Sequence, residues 1–329
     1  MKMFKASIII RSFNEEEHIA KLLSGILAQD YQNYEIILVD SGSTDATVSI
    51  ASRYPVKIIS IRPEEFSFGY ALNKGCAEAI GEVLVFASAH VYPVYTDWLR
   101  ELVDPFNNDD VGLVYGKQRG NEQSQYSEHQ VFAKWFPEVS DQNQLHPFCN
   151  NANAAIRRSL WQVIPYDESL TGLEDLDWAR KVKAIRYKIV YSAKAEIIHV
   201  HQETPKKILN RYRREAMAMK QIIKESSFTF FDFINFLVYS IFHDMLHALH
   251  DRVFIKEFRN ILMFRFMQYY GTYRGHKESK ILNNELRQRF YYPKSFNLRR
   301  NDSNDLENTT TNLIDYSQLL STKKESLYE

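Results

Sequence analysis

Short apolar runs alternate with amphipathic stretches along the N-terminal part of the chain. Ala6–Arg11 reads as a buried strand, and Asn14 with Glu17 three residues on is a capping-box-like signal for a helix to about Gln29. Tyr34–Asp40 is a second strand, running into the polar loop Ser41-Gly42-Ser43-Thr44-Asp45 before another helix. Val56–Ser60 predicts a short strand, Phe68–Ala79 a helix and Val83–Ala87 a fourth strand. Continuous apolar strands separated by helices predict an α/β fold, a mostly parallel central sheet covered on both faces. Ligands of such sheets bind beyond the carboxyl ends of the strands, so the polar loops after strands one, two and four are the expected site.

The pattern is mixed from Asp97 to His201, with a helix near Trp98–Phe106, a strand at Val111–Tyr115 and a strand-like segment from Ala195. Lys206–Lys224 predicts a basic helix carrying Arg211, Arg213 and Arg214. Phe228–Asp251 is strongly apolar, and most of its polar residues (Asp232, Ser240, His243, Asp244, His247, His250) share one side of a helical wheel. Its broad apolar face suits peripheral contact with an anionic bilayer, packing on the rest of the chain, or a homodimer. An aromatic, basic stretch follows at Phe258–Tyr273, and beyond Pro293 the chain turns polar. The expected division is a catalytic domain over 1–205, a helical region over 206–292 and a flexible tail over 293–329.

Composition narrows the function. Lysine plus arginine and aspartate plus glutamate both number 41, which removes any global-charge argument for nucleic-acid binding. The two cysteines, Cys76 and Cys149, argue against a disulfide framework and fit a cytoplasmic protein. Ala6–Ile10 is too short for a signal peptide, and no apolar stretch is long enough for a spanning helix. No Gly-x-Gly-x-x-Gly follows the first strand and no Gly-Lys-Ser/Thr loop occurs, which disfavours dinucleotide and phosphate-loop proteins. His243 and His247 have the spacing of a zinc-hydrolase pair, but His250 and Asp232 continue the same stripe, as on any amphipathic helix.

The candidate chemistry lies in the loops Arg11-Ser12-Phe13-Asn14-Glu15 and Asp40-Ser41-Gly42-Ser43-Thr44-Asp45. Carboxylates and hydroxyls at strand ends beside helix N-termini suit a ribose, a base and a phosphate, while helix capping alone also accounts for Asn14, Ser43 and Asp45. Further on stand Phe68-Gly69, Asn73, Gly75, Gly81, Ser88-Ala89-His90, Tyr115-Gly116-Lys117-Gln118, the Asn151–Ala155 loop, and Glu174-Asp175 with Trp178 and Arg180. In this order they resemble glycosyltransferase family 2, which has the GT-A fold, over roughly residues 5–205. Arg211–Gly275 resembles its rhamnosyltransferase-type members more loosely.

The resemblance implies inverting transfer from a nucleotide-sugar donor to a glycan or lipid-linked glycan acceptor during surface polysaccharide synthesis. It implies that Asn14 and Glu15 sit near the nucleotide, that Asp40 contacts the base, and that Asp175, beside Glu174, is the catalytic base. The expected donor-binding set also includes Arg11, Ser43, Asn73, Lys74, Ser88 and Ala89. An inverting transfer does need one carboxylate to take the acceptor hydroxyl's proton, although Glu174, Asp175 and Asp177 could equally cap a helix through Trp178–Val182.

The family's usual Asp-x-Asp metal motif is replaced by Ser88-Ala89-His90. His90 falls where the metal-binding carboxylate would stand, and imidazole ligates Mn²⁺ better than Mg²⁺. Three outcomes stay open: a His-ligated divalent cation with His199 as second ligand, a metal-free enzyme, or an inactive carbohydrate-binding relative. His199 and His201 share a face if the strand persists. The family often has arginine where this chain has Leu72, and Lys74 or Arg62 are the cations available to compensate.

Overall fold

The computed structural model describes residues 2–201, 203–278 and 312–325. In chain order the strands are β1 (Ala6–Ser12), β2 (Tyr34–Asp40), β3 (Lys57–Ser60), β4 (Val83–Ser88), β5 (Val91–Pro93), β6 (Val111–Arg119), β7 (Asn153–Arg157) and β8 (Lys188–His199). The helices are α1 (Ile19–Leu27), α2 (Thr47–Ala51), α3 (Phe68–Glu78), α4 (Trp98–Val103), α5 (Tyr126–Trp135), α6 (Arg158–Val163) and α7 (Glu174–Ala184). Then come α8 (Pro205–Ile222), α9 (Phe230–His250), α10 (Phe254–Lys277) and α11 (Tyr316–Glu325).

The eight strands form one sheet in the order β3-β2-β1-β4-β7-β6-β8-β5. β1, β2, β3 and β4 pair in parallel as expected, as do β6 and β8. β7 is antiparallel to both neighbours and β5 to β8, so the sheet is mixed. The continuous apolar runs reflect burial on both faces. In β1, Ile8 and Ile10 enter one core with Leu22 and Trp98, while Ile9 enters the other with Leu72 and Trp178. Cys76 and Cys149 are buried and free.

The first helix departs from expectation. It begins at Ile19, and no side chain caps it. Asn14 is drawn away to the neighbouring loop, where its side chain finds a backbone donor. Tertiary contact here outcompetes a local cap.

After β8 the helices build a second layer. α8 and α10 approach closely because Gly271 and Gly275 face α8: a Cβ on Gly275 would stand 2.2 Å from the Arg213 carbonyl oxygen, and one on Gly271 2.5 Å from that of Leu209. α9 packs outside, against α10, through the buried pair of Arg265 with Asp244, whose two contacts measure 2.7 and 2.8 Å. Most of the expected flexible tail, 293–329, lies outside the described residues, as does the end of the helical region. Residues 312–325, the described part of that stretch, lie against the end of the sheet. Their backbone pairs with the segment after β5, and Tyr316 donates to the Pro93 carbonyl at 2.6 Å while filling the space over Gly25.

Gly275→Ala is expected to lower the melting temperature by several degrees, the consequence of a misfit costing about 1–3 kcal/mol. Gly172→Ala, where the nearest atom to the new Cβ is 3.6 Å away, should leave it within about a degree. Thermal unfolding of both variants by circular dichroism measures the contrast.

Candidate active site

Parallel pairing of β1 with β2 makes their following loops leave the sheet side by side. Polar side chains then stitch them together. Asn14 N donates to Ser43 Oγ at 2.9 Å, Thr44 N to Asn14 Oδ1 at 2.8 Å, and Glu15 N to Thr47 Oγ1 at 2.7 Å. Asn14 sits at a φ of 54°, a left-handed conformation that asparagine tolerates better than most residues. Asp40 is buried beneath and braces the second loop, accepting from Ser12 Oγ, Gly42 N, Ser43 N and Ser43 Oγ at 2.5–3.1 Å. Gly42, at a φ of 88°, makes the turn that brings those donors round.

β4 ends at Ser88, buried Ala89 follows, and His90 turns its Nδ1 to Glu15 Oε1 at 2.7 Å. His90 stacks on His199, the last residue of β8, with ring centroids 5.1 Å apart. His199 Nδ1 meets Gln118 Oε1 at 2.8 Å, and His201 Nδ1 meets Glu128 Oε1 at 2.7 Å. A ring that carries its proton on Nδ1 turns Nε2 inward as a lone pair, and Arg211 Nη1 also reaches His201 Nδ1 at 3.0 Å. The His199 and His201 Nε2 atoms stand 2.9 Å apart, and one donor atom from each of the three rings lies within 4.8 Å of the others. Two lone pairs that close repel unless a proton or a cation lies between them.

The surrounding charges set this cluster up. Burial alone would raise the Glu128 carboxyl, but the His201 hydrogen bond and the Arg211 charge bring it down to about 2. Arg211 donates to Glu128 at 2.8 Å and pairs with Glu203 at 2.8 Å. Burial, with His201 and His90 as neighbours, pushes His199 well below its usual value and keeps it neutral. Burial works against the charged form of His90 too, but the Glu15 carboxylate outweighs it and the net shift is upward.

Across the site, α7 starts at Glu174 behind Leu173, whose φ is 56°. Its acidic first turn faces the positive end of the helix dipole, but no side chain caps it. The helical start splits the two adjacent carboxylates. Glu174 turns to Arg11, which donates at 3.1 Å, whereas Asp175 accepts from Asn151 N at 3.1 Å and Leu176 N at 2.7 Å. Burial, then the Glu174 charge, raises Asp175 to about 7. The Arg11 charge bears on both Asp175 and His90, so both lie around one cation.

Two residues of the expected donor-binding set, Asn73 and Lys74, have other neighbours in the structure. Asn73 spends its whole amide elsewhere: Nδ2 donates to the Tyr166 carbonyl and Glu168, and Oδ1 accepts from Trp161 Nε1 and Tyr166 N, all within 3.0 Å. It ties α3 to the segment before α7. Lys74 lies on the exposed face of α3, its Nζ 5.1 Å from the Tyr70 ring centre, and Arg62 pairs with Glu65 at 2.9 Å. His243 and His247 lie exposed on α9 with rings 4.4 Å apart, outside the ligand clusters found among the described residues. Glu128, Gln118 and Arg211 were not expected as supports of the histidines. Glu128 and Gln118 lie 73 and 81 residues from the histidines they meet, and Arg211, ten residues beyond His201, reaches Glu128 across 83.

The model of "Glycosyl transferase family 2" matches residues 7–164, which hold both stitched loops, His90 and the Asn151–Ala155 segment. Residues 7–164 are similar to glycosyltransferase family 2. The chain is 30% identical over 195 residues to the O-antigen chain rhamnosyltransferase WbaN of Salmonella anatum, an alignment covering 56% of this chain and 62% of that relative. It is 26% identical over 221 residues to the O-antigen chain rhamnosyltransferase RfbN of Salmonella typhimurium, covering 63% and 70%. Among solved structures it is similar to the mannosyltransferase PcManGT from Pyrobaculum calidifontis, in complex with GDP-Man and Mn²⁺. That match has a TM-score of 0.57 and 17% identity, and covers 82% of this chain and 86% of that one. The fold is GT-A.

A divalent cation of the kind bound in that GT-A relative fits the histidine cluster on this chain's own geometry. Three imidazoles that each offer one nitrogen within 4.8 Å of the others, each ring held by a second partner, form a donor set suited to Mn²⁺, Co²⁺ or Zn²⁺ and poorly suited to Mg²⁺. Calorimetric titration of the full chain is expected to show one Mn²⁺ or Zn²⁺ bound, with Mg²⁺ far weaker. Loss of His90 and His199 together should abolish the heat of binding, and Glu128→Gln should weaken it about 10–100-fold.

Proposed function

We propose that this chain is an inverting glycosyltransferase of the cytoplasm, moving a hexosyl or deoxyhexosyl unit from a nucleotide sugar to a hydroxyl of a glycan or lipid-linked glycan in surface polysaccharide assembly. The observation that carries this reading is Asp175, a half-buried carboxylate raised to about 7 at the start of α7. A base poised near neutrality accepts a hydroxyl proton without being quenched by it. The O-antigen rhamnosyltransferase relatives support a deoxysugar donor and a glycan acceptor.

In this mechanism Asp175 Oδ takes the proton of the acceptor hydroxyl. The freed oxygen attacks the anomeric carbon from the face opposite the leaving group, and the bond to the diphosphate breaks with its electron pair leaving on the nucleoside diphosphate. Arg11 holds Glu174 aside at 3.1 Å, so one carboxylate and not two meets the acceptor. The stitched loops after β1 and β2 receive the nucleoside, with Ser88 and Ala89 forming the floor beside them. A cation on His90, His199 and His201 would neutralise the departing diphosphate.

Asp175→Asn is expected to lower turnover at least a thousandfold while donor affinity stays within a few-fold, read as nucleoside diphosphate release against a nucleotide-sugar panel with EDTA and Mn²⁺ arms. Full activity in that variant would overturn the mechanism. Donor binding with no release by the intact chain would instead make it a carbohydrate-binding subunit.

The groups around Asp175 are Glu174, Arg11 and Cys149. Because the base form appears only as pH rises through about 7, kcat/KM should climb about tenfold per pH unit below that value and level off above it. The same shift works against stability. A carboxyl raised in the folded state costs folding energy once ionised, so the melting temperature of Asp175→Asn relative to the parent should rise between pH 4 and pH 8.

A further inference from the structure

α9 leaves a broad apolar face exposed, beside the exposed His243, His247 and His250. Its buried stripe includes Ser240 and Asp244, whereas Phe231, Val238, Phe242 and Leu249 form a straight exposed row. Phe231 and Phe242 are 73% and 64% exposed. On α10 the row Ile255, Leu262 and Phe266 continues the apolar surface, and Ile255 at the tip of the hairpin is 94% exposed. A groove between the helices is lined by Leu237, Ile241, Met263, Leu262 and Phe266, with Arg259 among them. So large an apolar face marks an interaction surface.

The charges on the hairpin say what covers it. Arg252, Lys256 and Arg259 are exposed around Ile255. The carboxylates from α9 to α10 have partners within this chain: Asp232 with Thr229, Asp244 with Arg265, Asp251 with Tyr126, and Glu257 with Asn260 and, at 3.6 Å, the exposed Lys256. A second copy laid on this face would bury Arg259 among apolar groups, at the desolvation cost of a charge taken out of water. A phospholipid leaflet supplies acyl chains and phosphates in one surface, and arginine and lysine stems reach from the first to the second.

We infer that the α9–α10 hairpin lies flat on an anionic lipid surface, its apolar row in the acyl boundary and Arg252, Lys256 and Arg259 on phosphate headgroups. No helix among the described residues is long and apolar enough to cross a membrane, so the contact is peripheral. α10 is locked to α8 at Gly271 and Gly275, and α8 carries Arg211 into the histidine cluster. The catalytic cleft is therefore held at a fixed height above the lipid. The binding surface stands on the hairpin alone; only its use in meeting a lipid-linked acceptor rests on the transferase reading.

Flotation of the full chain with vesicles tests this. The chain should rise with phosphatidylcholine vesicles containing phosphatidylglycerol, rise weakly with phosphatidylcholine alone, and lose the difference in high salt. Phe231→Ser with Phe242→Ser should abolish flotation on both. Arg252→Gln, Lys256→Gln and Arg259→Gln together should weaken binding to anionic vesicles on the order of a hundredfold and leave the neutral arm unchanged. Circular dichroism and nucleotide-sugar binding, expected to be unaltered in both variants, separate loss of the surface from loss of the fold or of the active site. An intact chain that never floats overturns the inference. So does a stable dimer in sedimentation that the serine variant dissolves while vesicle binding is absent.

Discussion

Glu128 is a carboxylate buried where water cannot reach it, and its two partners decide much of the architecture. His201 and Arg211 both meet its Oε1, at 2.7 and 2.8 Å. Removing a charge from water costs several kcal/mol unless it is paired, so α5, the segment beyond β8 and α8 must meet at this point together. The ion pair thereby couples the orientation of an imidazole to the docking of a helical layer. Arg211 belongs to the helix that carries α10, so the histidine cluster and the C-terminal helices share one support.

The N-terminal half of the chain was readable because its strands obey local rules. Ala6–Ser12 and Tyr34–Asp40 are apolar runs with polar ends, and parallel sheets present their site at those ends. What was not readable was competition between local and distant partners. Asn14 has the sequence of a cap and the contacts of a loop clamp, since Thr44 N outbids the helix. Asn73 reads as a ligand beside a glycine-rich helix, yet it is saturated by Trp161, Tyr166 and Glu168. The antiparallel insertion of β7 had no local mark either, because a strand buried on both faces reads the same in either direction.

The site divides the same way. Motif order and the substitution at the end of β4 bring Asp175 and His90 forward as candidates. Their tuning is marked by neither: it depends on Glu174 being pulled to Arg11 from β1, and on Glu15 turning back to His90. On α9, the wheel separated polar from apolar residues but not inside from outside. The structure buries Asp244 against Arg265 on α10 together with Phe233, Ser240 and Ala248, while His243, His247 and His250 stay exposed beside the apolar row.

Residues 312–314 bear on a different property of the molecule. β5 ends the sheet, and the chain just beyond it would offer unpaired amides and carbonyls to any passing strand. Thr96 N instead donates to the Asn312 carbonyl, and Ile314 N to that of Val94, with Tyr316 pinned against Pro93. The C-terminal segment is a molecular selvage, sealing the weave against fraying and against edge-to-edge aggregation. A shortened chain lacking it would keep its catalytic residues and lose its colloidal restraint.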